Sequence, residues 1–239
     1  MRFLYLFPLI FCLAAAAARA DTGPCKPDAF GGTTCGDGVG AARVIEGTLS
    51  PSKTYAFAWR STKKPPTEAP DEDSLESVLI RLSDGTVLAK ARGEYWNTGT
   101  VRINRTEQHV SWSPDDRFAV EITDFRWMTT VLRFYSIGTD GAVKTLDLKE
   151  AMEAAARKQL RKIVKNEDDY AFSVLGSSGG EASRLTVGKD GTIKALFLMQ
   201  VPKFETKHAV IEGTFKITEH GGSLALKGIS MRRSRVKPW

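Results

Sequence analysis

The chain offers one literal match to a catalytic motif. "GSSGG", Gly176 to Gly180, has the Gly-x-Ser-x-Gly spacing of a nucleophile elbow, with Asp190 and then His208 or His220 downstream in the Ser, Asp, His order of α/β-hydrolases. Such an elbow works because its serine sits on a sharp turn that runs directly into a helix, whose first N–H groups help to hold an oxyanion. Here "EASRLTV" follows, with β-type alternation on both sides, so the segment reads as a Ser/Gly hairpin loop. Serine hydrolysis through Ser178 is the lesser alternative, and no catalytic residue is assigned. The adjacent carboxylates Asp115 and Asp116 would divide acid and base roles only if their surroundings separated their pKa values; placed after Ser113-Pro114 they read as turn formers. His109, His208 and His220 are scattered. The acidic, Pro-rich stretch 61–76 lacks the regular aspartate spacing of a calcium loop and reads as a solvated insertion. No metal site and no cofactor is expected.

The compartment constrains what chemistry remains. Residues 1–20 begin with Arg2, continue through "FLYLFPLIFCLAAAAA" and end in Ala18-Arg19-Ala20, the pattern of a secretory signal peptide. The apolar run is shorter than the ~20 residues that span a bilayer, so no membrane span is expected. Cleavage would leave Cys25 and Cys35, which an oxidising compartment favours as a disulfide. A zinc site would want about four ligands, and no histidine is near them. The formal net charge is +6; losing Arg2 and Arg19 leaves a mildly basic chain without the footprint of nucleic-acid binding. The expected location is periplasmic or secreted.

The elements that would position any site begin with an internal repeat. "SPSKTYAFAW" (Ser50 to Trp59) aligns with "SPDDRFAVEI" (Ser113 to Ile122), and each is followed by a run closing on Asp-Gly, at Asp84-Gly85 and Asp140-Gly141. Asp-Gly between alternating apolar residues is a hairpin signal, read here as a turn in which both residues tolerate φ > 0. This Ser-Pro-Asp-x-Arg-aromatic-Ala signature resembles the WD40-like repeats of TolB-type periplasmic propellers, over residues 50–147. The resemblance implies a propeller-like first half, and two such units fall short of the four blades that usually close a ring. A four-unit closed propeller and a two-sheet assembly are both open for the whole chain.

The segment 148–166 interrupts the β pattern. Leu148, Met152, Ala155, Ala156, Leu160, Ile163 and Val164 form one apolar stripe. Asp147 and Glu150 are spaced as a cap, and Arg157, Lys158, Arg161 and Lys165 read as a solvated opposite face. β structure resumes over 167–239, with Asp190-Gly191 in a third hairpin. The fold expected is mainly β, built of antiparallel meanders, with a disulfide-pinned N-terminal segment and two blade-like units over 21–147 and one docked amphipathic helix.

Binding is the function class left standing. Trp59 reads as core, whereas Trp96 in "GEYWNTG" and Trp127 in "TDFRWMTT" fall near loop tips, where aromatic rings stack on sugars or anchor protein partners. Arg232, Arg233 and Arg235 in the tail "MRRSRVKPW" are further candidates for contact with anionic envelope surfaces, against a frayed solubilising terminus. The expectation is a soluble, non-catalytic binding or scaffold protein of the cell envelope. Its partner would be an envelope protein or, alternatively, a cell-wall glycan.

Overall fold

The computed structural model describes residues 22–176 and 184–238; the 1–20 segment and Ser178 lie outside the described residues. The chain is mainly β and antiparallel. Sheet 1 runs in chain order through β1 (Cys25–Pro27), β2 (Thr33–Cys35), β3 (Ala42–Val44), β4 (Tyr55–Ser61), β5 (Leu75–Arg81) and β6 (Val87–Lys90). Sheet 2 is a four-stranded meander of β7 (Thr106–Trp112), β8 (Phe118–Phe125), β9 (Met128–Ile137) and β10 (Val143–Asp147). After helix α1 (Lys149–Leu160), sheet 3 gathers β11 (Ala171–Val174), β12 (Leu185–Val187), β13 (Thr192–Val201), β14 (Phe204–His220) and β15 (Ser223–Arg233). Its order is β11-β13-β14-β15, with β12 also paired to β13.

Three sheets thus stand where a closed ring or a two-sheet assembly was expected, and none closes on itself among the described residues. The physical reason lies in "FETKHAVIEGTFKITEH", which runs without a turn signal and so forms one 17-residue strand.

Alternation along β8 explains the layering. Ala119 meets Phe57 and Leu79 of sheet 1, together with Tyr135 and Ile137 of β9. Val120 and Ile122 point the other way, into the largest core, with Leu148, Met152, Ala156 and Leu160 of the helical segment and Phe172, Ile193, Phe197 and Ile211 of sheet 3. Sheet 2 is therefore covered on both faces at β8, whose residues 119–124 are all buried, polar ones included.

The two aligned segments are copies in geometry as well as sequence. Ser50 N–H donates to Tyr55 O and Ser113 N–H to Phe118 O. Ser50 Oγ accepts from Tyr55 N–H at 3.1 Å, and Ser113 Oγ accepts from Phe118 N–H at 2.9 Å. The aligned residues Lys53 and Asp116 are both left-handed, at φ 58° and 60°. Asp116 is more than a turn former. Its carboxylate is buried and accepts from Ser50 Oγ at 2.9 Å, from Ser52 N–H and from Ser52 Oγ, so the second turn is bonded to the first. Trp112 Nε1 adds a bond to Thr48 O at 3.0 Å across the same seam.

The three Asp-Gly hairpins are built differently from the two-residue turn expected. Only the glycines, Gly85, Gly141 and Gly191, have positive φ, near 75°. The aspartates instead accept from the N–H two residues on, at Thr86, Ala142 and Thr192. That is an Asx turn followed by a left-handed residue, the chemistry of a longer hairpin loop.

Cys25 and Cys35 face each other across β1 and β2 and are joined as a disulfide. The helix starts one residue later than its expected cap. Leu148 is the N-cap and no side chain caps it, because Asp147 ends β10 and is ion-paired with Arg133 and Arg92. Arg157 leaves the solvated face assigned to it: it pairs with Glu153 and donates to Glu167 O at 2.7 Å and Tyr170 O at 2.9 Å. Among the described residues no helix is long and apolar enough to cross a membrane.

Two stability predictions follow from this packing. Leu160→Ala should cost about 2–5 kcal/mol, the range for a buried leucine, whereas Lys158→Ala on the exposed face should cost less than about 0.5 kcal/mol. Urea unfolding of both variants measures the difference. Asp116→Ala should cost about 2–3 kcal/mol, since it removes bonds to a charged acceptor and places alanine in a left-handed turn. Asp116→Asn, which tolerates that backbone and still accepts, should lose clearly less; equal losses would exclude the bonds between the turns as their source.

Candidate functional site

The described residues hold two arrangements that their surroundings make unusual, a polar one inside and an apolar one at the surface. The internal one centres on Glu121. Its position in "FAVEI" has the parity of Ala119, so it points at sheet 1 and is fully buried. Four donors meet the carboxylate: Gly93 N–H at 2.7 Å, Arg92 N–H at 3.3 Å, Gln108 Nε2 at 3.2 Å and Tyr135 Oη at 2.5 Å. Gly93 makes this approach possible, because a Cβ there would lie 2.5 Å from Gln108 Oε1 and 2.7 Å from Thr123 Oγ1. Ser77 Oγ donates to Gly93 O and holds the loop from its other side. Burial pushes the Glu121 carboxyl above its ordinary range, against the opposing pull of the bonds from Tyr135, Gly93 and Arg92. Burial and the neighbouring Glu121 carboxylate likewise push the Tyr135 hydroxyl upward. The group is enclosed between two sheets, and its donors saturate it. Its chemistry is that of a tie between layers, and sequence reading passed over it although a lone glutamate at inward parity was its signal.

The surface arrangement is the β8–β9 hairpin tip. Phe125 pairs with Met128, and Arg126 and Trp127 make the turn. Phe125 is 39% exposed, Trp127 60% and Met128 47%, three large apolar side chains within four residues. Arg126 holds φ at 56°, donates its N–H to Arg105 O at 2.9 Å and lays its guanidinium 5.2 Å from the Phe125 ring centroid. The base of the hairpin is fixed. Thr129 Oγ1 donates to Asp124 Oδ1 at 2.6 Å and accepts from Val174 N–H of β11 at 2.9 Å, with both side chains buried. A hairpin with a fixed base therefore presents an apolar surface to solvent.

The other candidate residues fall in different surroundings. Trp96 is half-buried and packs on buried Trp59, with ring centroids 6.3 Å apart. It also borders a cavity of about 610 Å³ whose rim includes Glu72, Asp73, Glu76 and Lys90. Trp96 thus belongs to a sheet 1 cluster with Ile45 and Tyr95, and not to an exposed tip. The tail is less frayed than its composition suggests. Arg232 and Arg233 lie in β15, and Arg232 forms a two-pronged pair with Glu212 at 3.0 and 2.9 Å; Arg235 follows the strand and is exposed. Strand pairing of "GISMRR" with β14 overrides the terminal position. Among the described residues His109 sits in β7 while His208 and His220 lie in β14, and no three metal-ligating side chains converge. Ser178 lies outside the described residues. In comparisons with family models, with curated proteins and with solved structures, nothing matched this chain.

The Glu121 environment carries a pH dependence of definite sign. With the folded-state pKa above the unfolded value of about 4.3, the contribution is fully present below that value and is lost as pH rises through the folded one. Glu121→Gln keeps the shape and removes the titration. Its stability relative to the parent should therefore improve from pH 4 towards pH 8, read as the difference between the two denaturation midpoints. A difference that stays flat, or moves the other way, would show that the folded-state pKa is not raised.

Proposed function

We propose that the protein is an exported, non-catalytic binding module of the cell envelope, and that the β8–β9 tip is its contact surface. The observation that supports this reading is the exposure of Phe125, Trp127 and Met128 on a hairpin whose base is buried and hydrogen-bonded. An aromatic anchor held in place before binding loses little conformational entropy when it is covered. The signal-like segment 1–20 and the Cys25–Cys35 disulfide support an oxidising, periplasmic or secreted location. The two bonded Ser-Pro turns support a blade-like pairing of sheets 1 and 2 as the scaffold, in keeping with the WD40-like resemblance of residues 50–147.

The partner is an envelope protein or a cell-wall glycan, and the test addresses both. Crosslinking in intact cells should yield discrete adducts with the parent protein, or purified cell wall should carry it into the pellet. Trp127→Ala should reduce that capture at least ~10-fold, as for an aromatic hot spot, while its stability changes by less than about 0.5 kcal/mol. Trp96→Ala should do the reverse, costing roughly 2 kcal/mol or more of stability through lost packing and leaving capture per folded molecule unchanged. Equal capture by the parent and the Trp127 variant would remove the tip from the interface.

A further inference from the structure

The hairpin tip does not stand alone. Met128 and Thr130 border a cavity of about 450 Å³ that continues past Arg157 and Asp168 to Tyr170 and Pro202. A second cavity, of about 700 Å³, starts from the same Asp169, Tyr170 and Pro202 and extends to Phe204, Lys203 and Lys207, with Lys165 on its other wall. The two share three lining residues and so adjoin, and together they form a groove that reaches from Met128, the neighbour of Trp127, to the β13–β14 turn. Each part lies within the ~300–1,000 Å³ of ordinary ligand pockets.

The lining changes character along its length. At the tip end Met128, next in sequence to the exposed Trp127, meets the polar side chains of Thr130, Lys149 and Glu153. The middle is held by α1, because Arg157 donates to Tyr170 O and to Glu167 O and so fixes the backbone beneath the Tyr170 ring. At the far end Phe204 is 52% exposed and the Lys207 ammonium sits 4.7 Å from its ring centroid. Lys165, Lys203 and Lys207 line that cavity together with one described acid, Asp169, and among the described residues none of the three lysines has an ion-pair partner, which leaves the end net positive. By contrast Lys149, at the tip end, is paired with Glu153. Rings spaced along a groove with unpaired ammonium groups at one end suit a chain of flat, hydroxylated units that bears carboxylates.

We propose that this groove binds an extended acidic glycan, with sugar faces stacked on Trp127, Tyr170 and Phe204 and a carboxylate received by Lys165, Lys203 and Lys207. The assignment rests on the tip being the contact surface and names the ligand class for it. Stacking on a ring face tolerates many sugars, so the lysines would confer the preference for acidic over neutral chains.

Titration calorimetry on the full mature chain tests this with three probes. These are a tetrasaccharide alternating N-acetylglucosamine with carboxylate-bearing N-acetylmuramic acid, the neutral chitotetraose, and hexaglutamate. The acidic tetrasaccharide should bind at least ~10-fold tighter than chitotetraose, a difference of about 1.4 kcal/mol, and hexaglutamate should not compete. Lys203→Glu combined with Lys207→Glu, and separately Phe204→Ala, should each weaken binding at least ~10-fold, while Lys158→Glu on the exposed helix face leaves it unchanged. Thermal midpoints within a few degrees of the parent would establish that the variants fold. Equal binding of the neutral and acidic chains, competition by hexaglutamate, or indifference to the lysine reversal would overturn the proposal. No binding of the tetrasaccharide, alongside Trp127-dependent crosslinks in cells, would sink the groove and leave the tip standing as a protein contact.

Discussion

Strand β8 is covered on both of its faces, by Phe57 and Leu79 of sheet 1 on one side and by α1 with sheet 3 on the other. A strand so placed has no solvent side, and each of its residues must be satisfied by whatever the neighbouring layers supply. Val120 and Ile122 meet this condition by apolar packing, whereas Glu121 meets it only because Gly93, Arg92, Gln108 and Tyr135 all aim donors at one point. An unpaired carboxylate in that position would carry a desolvation penalty of several kcal/mol. The sheet 1 loop at Gly93 and the middle sheet are thereby coupled, since moving either strips the acid of its partners.

Apolar burial between sheets is close to non-directional, so it holds the layers together without specifying how far one is slid past the next. The polar ties along the seam supply that information. Asp116 reads the turn at Ser50 and Ser52, Trp112 reads the carbonyl of Thr48, and Glu121 reads the loop at Gly93. These contacts lie at successive heights along the same sheet-to-sheet interface, and they distinguish one register from its neighbours. Sheet 3 is joined by the large apolar stripe of α1 and by polar ties of its own, from Val174 N–H to Thr129 Oγ1 and from Ser111 Oγ to Leu185 O.

The features legible in the amino-acid sequence are those encoded by local spacing. Ser-Pro with two turn residues, then an aromatic and an alanine, marks the start of β4 and of β8, and the stripe Leu148, Met152, Ala156, Leu160 marks the buried side of α1. Cys25 and Cys35 pair because few other partners exist. What stayed hidden depends on contacts distant in sequence. Asp116 is a turn former by local rules, and its bonds to Ser50 and Ser52 span 64 to 66 positions. Trp96 and Trp127 look alike in loop-like contexts. Only the three-dimensional placement of Trp59 separates the packed ring from the exposed one. The two cavities were illegible for the same reason, because Tyr170 lines one with Met128 and the other with Lys207, residues far apart in sequence.

The composition of the β8–β9 tip is not explained by folding alone. A two-residue hairpin is best served by Asn-Gly or Asp-Gly, and this chain uses Asp-Gly at four other loops. At the tip it places Arg126 in the left-handed region, at a strain of about 1 kcal/mol, and follows it with an exposed tryptophan and methionine. Neither choice improves the turn. The strained residue is secured from outside by Arg105 O and its guanidinium covers Phe125, so the surrounding structure maintains an arrangement that local preferences would abandon. Strain of this kind persists where neighbouring structure over-determines it, and such places cluster at functional sites. On the proposed reading, the tip's exposed rings and the lysines lining the cavity at the β13–β14 turn act together, stacking supplying contact area and charge selecting among the chains that can stack.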